Sequence, residues 1–308
     1  MTLRILVATI AASLAIVEGA MTAQVPHAPQ FRTRVDALRL AVRVVHDGRP
    51  VLGLKPDDFR VSVGEVQHSV TSAAAITALN VALLFDQSRS LATQGTRRVA
   101  EVGALVAGGL EPQESLRLYG FNEDVRRLVP PTTDRTPVTE ALGAAVPSGL
   151  GTTAFWDALI AVAADMAGAP DRPYVVALTD GCDNGSWLAA PAAARWLGAT
   201  GVTADVVFYG SSETENRSLN LKGDACHGPL RLEEGVHDAD GRVWRTADRQ
   251  LERKLQERLA SLRQGYFVAV TPAPTLARGG WLTVSVRLRP GLHGKVSHPE
   301  RVYVGDFR

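Results

Sequence analysis

Two hydrophobic rhythms divide this chain. From Leu38 the residues alternate, with Leu38, Leu40, Val42 and Val44 on one face and Arg39, Ala41 and Arg43 on the other. That is the period of a half-buried strand, and Asp47-Gly48 follows it as a hairpin-like turn. Phe59, Val61 and Val63 repeat the period. It returns at the far end in Leu282, Val284, Val286 and Leu288, opposite Thr283, Ser285 and Arg287, and continues in Val302 and Val304. One-sided strands need a cover, and isolated hairpins are marginal in water. The pattern therefore predicts one small β sandwich built from both chain ends.

Between the ends the rhythm changes. Continuous apolar runs at 79–85, 115–121, 174–179 and 203–209 read as strands buried on both faces. Helical periodicity occupies roughly 94–108, 138–146, 154–168, 189–198 and 247–263. Gly108, Gly168 and Gly201 stand where such helices would stop, and Pro191 marks the first turn of the fourth. Strands alternating with helices predict an α/β fold, a doubly wound, mostly parallel sheet inserted in the sandwich. The expected partition is 1–23 signal peptide, 24–34 polar leader, 35–75 first part of the sandwich, 78–264 the α/β domain, and 265–308 the rest of the sandwich.

The candidate chemistry sits where the first apolar run stops. Val81-Ala-Leu-Leu-Phe-Asp-Gln-Ser-Arg-Ser90 ends a buried strand at Asp86 and then offers hydroxyls at Ser88 and Ser90. In open α/β sheets, ligands bind in the crevice at the carboxyl ends of strands. One carboxylate and two hydroxyls are hard oxygen donors, suited to Mg²⁺ or Mn²⁺ and not to zinc or copper. The same triplet also reads as a strand-to-helix turn with N-cap residues. Two further segments bear on the choice. Gly151-Thr-Thr-Ala-Phe-Trp-Asp-Ala158 opens a helical apolar pattern, and Tyr174-Val-Val-Ala-Leu-Thr-Asp-Gly181 is a second buried run ending in a Thr-Asp-Gly turn.

Taken together, the three segments resemble the metal-ion-dependent adhesion site of von Willebrand factor type A domains. The resemblance implies that Ser88, Ser90 and Thr153 ligate a metal through their hydroxyls, with Asp86 and Asp180 acting directly or through water. It extends to His46-Asp-Gly-Arg-Pro-Val-Leu-Gly-Leu-Lys-Pro-Asp-Asp-Phe-Arg60, Phe121-Asn-Glu-Asp-Val125, Gly241-Arg-Val-Trp244 and Arg263-Gln-Gly-Tyr266, segments similar to a group of bacterial exported proteins. It departs at Arg89, where small residues are usual, and at Leu91, where Met is common. A cation at Arg89 would weaken metal binding or change ligand preference.

Composition narrows the classes. Lys+Arg 33 against Asp+Glu 32 leaves no basic field, and no basic cluster is interleaved with aromatics, so nucleic acid is not an expected partner. Arg4, the apolar run Ile5–Val17 and small residues at Ala20 to Ala23 read as an export signal cleaved before Gln24. That run is shorter than the roughly 20 residues a bilayer span needs, and no later span is expected. The two cysteines, Cys182 and Cys226, are expected to pair in an oxidising compartment, periplasmic or extracellular.

Other motifs lead elsewhere and are weaker. Gly149-Leu-Gly-Thr-Thr-Ala154 has dinucleotide-binding glycines but no preceding strand, so no nucleotide is expected. No Gly-x-Ser-x-Gly elbow or His-x-x-x-His pair supports hydrolysis. Asn216-Arg-Ser218 matches a glycosylation acceptor. Ser211 to Asp240 is a long polar connection, either a solvated loop with a short helix or a specificity loop, and Trp187 and Trp196 are either packing or recognition aromatics. Three hydroxyls and two acids leave a divalent ion under-neutralised, which favours capture of an external Asp or Glu. The expected function is an exported, non-enzymatic protein that binds an acidic side chain of a protein ligand through Mg²⁺. The alternatives are a structural envelope-assembly module with a vestigial metal site and a metal-dependent hydrolase.

Overall fold

The computed structural model describes residues 38–88, 92–144, 152–209, 229–271 and 280–304. The expected signal peptide and leader, Arg89, Ser90, Leu91, Gly149 to Gly151, Asn216-Arg217-Ser218 and Cys226 lie outside them.

The alternating segments form two sheets. β1 (Leu38–His46) continues through Asp47 and Gly48, both at positive φ (49° and 76°), into the short β2 (Arg49–Pro50). A two-residue turn with both residues left-handed matches the twist of a hairpin, and glycine takes that conformation without strain. The second sheet contains β3 (Phe59–Val63) and β4 (Val66–His68), and β5 (Val70–Ala75) returns to the sheet of β1. From the far end of the chain, β12 (Tyr266–Val270) pairs antiparallel with both β1 and β5, and β14 (Lys295–Ser297) pairs with the other side of β1. β13 (Gly280–Leu288) pairs with β3, setting Val286 beside Val61, and β15 (Arg301–Val304) lies on its outer side. Leu40, Val42, Val44, Phe59, Val61, Val63, Tyr266, Val268, Val284, Val286 and Val302 share one buried cluster. The Tyr266 hydroxyl donates to Val51 O (2.8 Å) and accepts from Leu54 N (3.1 Å).

The continuous apolar runs form a six-stranded sheet. It contains β6 (Leu79–Asp86), β7 (Ser115–Phe121), β8 (Val125–Thr132), β9 (Arg172–Thr179), β10 (Thr203–Phe208) and β11 (Val243–Arg245) in the order β11-β10-β9-β6-β7-β8. All neighbours are parallel except β7 and β8. Burial on both faces explains why these strands read as unbroken apolar runs. Leu79, Val81, Leu83 and Phe85 of β6 pack under α1 (Ala92–Gly108), α2 (Thr136–Gly143) and α6 (Leu251–Arg263). Ala82 and Leu84 face α3 (Phe155–Met166), α4 (Ala190–Thr200) and α5 (Pro229–Val236) on the other side.

Two local features differ from the sequence expectations. The last helix begins at Leu251, not at 247, because Asp248 Oδ1 accepts from Gln250 N (2.9 Å) and holds a turn ahead of it. β8 has no counterpart in the apolar pattern. It is an edge strand with a mostly exposed face and carries Pro130 and Pro131, which an edge tolerates. Part of the long polar connection forms a short helix, α5, one of the two readings of that segment, and its Leu232 and Val236 are buried. Gly235 there lies against the Trp156 ring, where any Cβ would come within 2.3 Å of the indole.

Candidate metal centre

β6 delivers Asp86 to the carboxyl edge of the sheet, and the chain turns at once. Gln87 N donates to Phe121 O (2.7 Å), tying the turn to the end of β7, and Ser88 N donates to Asp86 Oδ1 (2.7 Å). A carboxylate bonding the amide two residues on is the Asx turn that Asp favours. Asp86 is fully buried, and among the described residues its second oxygen, Oδ2, has no hydrogen-bond partner. Leaving a buried carboxylate oxygen unsatisfied is costly. Burial first, and the charge of Asp180 second, push the Asp86 carboxyl up to about 7, partly offset by hydrogen bonds from Ser88 and Thr179.

Asp180 follows β9 directly. Its Oδ1 accepts from Cys182 N (3.0 Å), and Gly181 N donates to Thr179 Oγ1 (3.0 Å). Gly181 sits at φ 85°, a conformation glycine adopts freely. From the neighbouring β10, Tyr209 N donates to Thr179 O (3.0 Å). The Tyr209 hydroxyl is buried and without a partner among the described residues, and its pKa is pushed well above the usual phenol value by burial and then by Asp86 and Asp180.

Thr153 reaches this edge from the segment before α3. Its backbone is clamped by the loop after β9: Thr153 N donates to Asn184 Oδ1 (2.6 Å), and Asn184 N and Gly185 N donate to Thr153 O (3.0 and 2.8 Å). A Cβ at Gly185 would stand 3.2 Å from the Thr153 carbonyl, so glycine permits the approach. Ala154 N donates to Asn122 O (2.7 Å), which ties the same segment to the turn after β7. Ser88, Thr153 and Asp180 are all buried.

The structure thus brings Asp86, Ser88, Asp180 and Thr153 to one end of the sheet; Ser90 lies outside the described residues. Asn122, Asn184, Gly185 and Tyr209 have no assigned role in the sequence reading. The asparagines act by bonding segments about thirty residues apart in the chain, a relation with no local signature. Asp157 also goes unassigned. Its two oxygens accept from Trp187 N (2.9 Å) and Leu188 N (3.0 Å), shaping a loop on which Trp187 stands 96% exposed. Asp183 organises the same loop by accepting from Ser186 N (3.0 Å).

The donor set is what a hard divalent cation takes: carboxylate and hydroxyl oxygens, with one buried carboxylate oxygen left unsatisfied. Among the described residues no Lys, Arg or His forms an ion pair with Asp86 or Asp180, and no three His, Cys, Asp or Glu side chains converge as a conventional metal cluster. A site here would rest on hydroxyls as much as on acids.

No family model and no curated protein matches the chain. Solved structures do resemble it. The conserved hypothetical protein BatB from Bacteroides thetaiotaomicron is 14% identical over 60% of this chain and 98% of its own, with a TM-score of 0.49. A von Willebrand factor type A protein from Catenulispora acidiphila is 16% identical over 83% of this chain and 76% of its own, with a TM-score of 0.48. Proximal thread matrix protein 1 from the mussel byssus, in a structure with a zinc-occupied metal-ion-dependent adhesion motif, is 16% identical over 62% of this chain and 48% of its own, with a TM-score of 0.43.

Proposed function

We propose that this chain is an exported, non-enzymatic binding protein of the von Willebrand factor type A kind. It would capture an Asp or Glu side chain of a protein partner through Mg²⁺ or Mn²⁺ held by Asp86, Ser88, Ser90, Thr153 and Asp180. The observation that carries the reading is the Asp86 carboxyl, buried beside a second acid with one oxygen unsatisfied. A divalent ion would satisfy that oxygen and remove the repulsion between the acids. The ion would supply a Lewis-acidic position for an external carboxylate. Two acids against a divalent charge, with the remaining ligands neutral, leave that position attractive to an anion. Tyr209 would brace the inner side of the site, and Trp187 offers an aromatic surface on the loop that clamps Thr153.

The proposal extends to the surrounding chain. The strands of 35–75 and 265–308 would form one β sandwich that carries the 78–264 domain as an insertion, a reading supported by the shared apolar cluster. Residues 1–23 would direct export, and Cys182 would pair with Cys226, fastening the loop that follows Asp180. Among the described residues no helix is long and apolar enough to cross a membrane.

The test is calorimetric titration of metal-free protein with Mg²⁺ and Mn²⁺. One site is expected, weakened in both Asp86→Ala and Thr153→Ala, because Mg²⁺ requires near-octahedral oxygen geometry. Absence of binding, or wild-type binding by Asp86→Ala, would exclude the metal-bridged reading.

A further inference from the structure

At the opposite end of the sheet, away from Asp86, a cavity of about 210 Å³ opens between the amino ends of β9 and β10 and the strands of the chain ends. Six guanidinium groups line it: Arg39 and Arg43 from β1, Arg172 at the start of β9, Arg242 before β11, Arg258 in α6 and Arg301 in β15. The alternation of β1 places the first two. Its even positions enter the apolar cluster, so Arg39 and Arg43 project to the other side.

The acids in the cavity do not balance these charges. Arg258 pairs with the fully buried Asp205 (Nε to Oδ2, 3.1 Å) and with Asp240 (3.4 Å). Asp240 is shared with Arg172 (3.6 Å), and Asp238 pairs with Arg301 (3.6 Å). Three carboxylates in ion pairs, with Asp171 adding a longer-range attraction on Arg39, therefore stand against six guanidiniums. Among the described residues, Arg39, Arg43 and Arg242 have no carboxylate within ion-pair distance. Arg39 donates to Ala169 O (2.7 Å) and Pro170 O (2.8 Å) and lies over the Phe267 ring. Arg43 reaches Ser261 Oγ at 3.3 Å.

Arg172 adds a second, independent sign. Its side chain is 8% exposed, and its Nε is buried with no hydrogen-bond partner among the described residues. Burial, with Arg258 beside it, pulls its pKa down to about 10 against the pull of Asp240. A buried cation with an unused N–H beside other uncompensated cations is costly unless something negative joins it.

We propose that this cavity binds a small oxyanion carrying two or more negative charges, of the phosphate class. Guanidinium forks match tetrahedral oxyanions through paired N–H···O bonds. The cavity has room for a phosphate or pyrophosphate ion. The bound anion would complete the hydrogen bonding of Arg172 and cross-link β1, β9 and α6.

The experiment is calorimetric titration of the full chain with inorganic phosphate and pyrophosphate in EDTA, against chloride at matched ionic strength. One site is expected, and Arg43→Gln and Arg242→Gln should each weaken it by about tenfold, the loss of one charge-assisted contact. Arg43 is half-buried and Arg242 exposed, and both substitutions leave the Arg258–Asp205 pair intact. No binding above chloride would overturn the proposal, as would wild-type affinity in both variants. Binding that appears only when Mg²⁺ is added would also overturn it, because that anion would sit at the Asp86 edge. Failure of Mg²⁺ binding itself would leave the cavity proposal standing.

Discussion

Replacing Asp86 with Asn should make the metal-free protein more stable at pH 8 while abolishing Mg²⁺ binding. The carboxyl titrates near 3.8 in the unfolded chain and near 7 in the fold. Between those values the unfolded state has already released its proton and the folded state has not. Stability of the metal-free protein therefore falls as pH rises from about 4 to about 7, and is level above that. The shift corresponds to a loss on the order of 4 kcal/mol. Asn keeps an oxygen to accept from Ser88 N and carries no charge, so it should recover about half or more of that loss. For a chain of this size, 1 kcal/mol moves the melting temperature by roughly 2–4 °C, and the difference is measurable. Thermal unfolding in EDTA from pH 4 to 8 should show the wild type declining and Asp86→Asn nearly flat, with Mg²⁺ rescuing only the wild type. Parallel pH profiles, or a variant less stable than wild type at pH 8 in EDTA, would refute the reasoning.

Arg258→Met should destabilise the fold by about 3–5 kcal/mol in urea unfolding, because it strands the fully buried Asp205; a loss under 1 kcal/mol would contradict this. Among the described residues, Asp205 would retain Tyr174 Oη, Trp244 Nε1 and Arg242 N as donors. Removing residues 271–308 should expose β3 and β4 to limited proteolysis, since Phe59, Val61 and Val63 lose the face of Val284 and Val286, each buried side chain being worth about 1.5–3 kcal/mol; protection of 59–68 would count against the sandwich. The fragment 76–265 should stay folded in the same assay. Thiol titration of protein from its export compartment should find no free cysteine, and two free thiols would refute the Cys182–Cys226 pairing.

The legible parts of the fold are those where one residue's environment is set by its neighbours in the chain. β6, β9 and β10 are buried on both faces, so their apolar runs mark them without ambiguity, and each stops at the residue where the chain leaves the sheet. β8 is illegible by the same logic, because an exposed edge imposes no apolar pattern and its prolines argue against a strand. In the candidate site, Asp86, Ser88 and Asp180 stand at strand ends and can be found by that position. Asn122 and Asn184 cannot, because their partners at Thr153 and Ala154 are distant in sequence and the bonds are to backbone. The alternation of β1 marks Arg39 and Arg43 as one face. What that face meets depends on Arg172, Arg242 and Arg258, which only the tertiary fold brings near.

The pairing of β5 with β12 has a mechanical consequence. Ala75, where the chain departs for β6, lies beside Tyr266, where it returns from α6, and the ladder runs from there to Val70 beside Val270. A pull on the two chain ends first loads the pairings of β1 with β12 and of β3 with β13, then reaches this ladder at its Val70–Val270 end and peels it rung by rung. Until the last rung parts, the line of tension closes across Ala75 and Tyr266 and bypasses everything between them. The edge that carries Asp86 is thus held in a slack loop, and load on the termini reaches it only after the clasp at its base has opened.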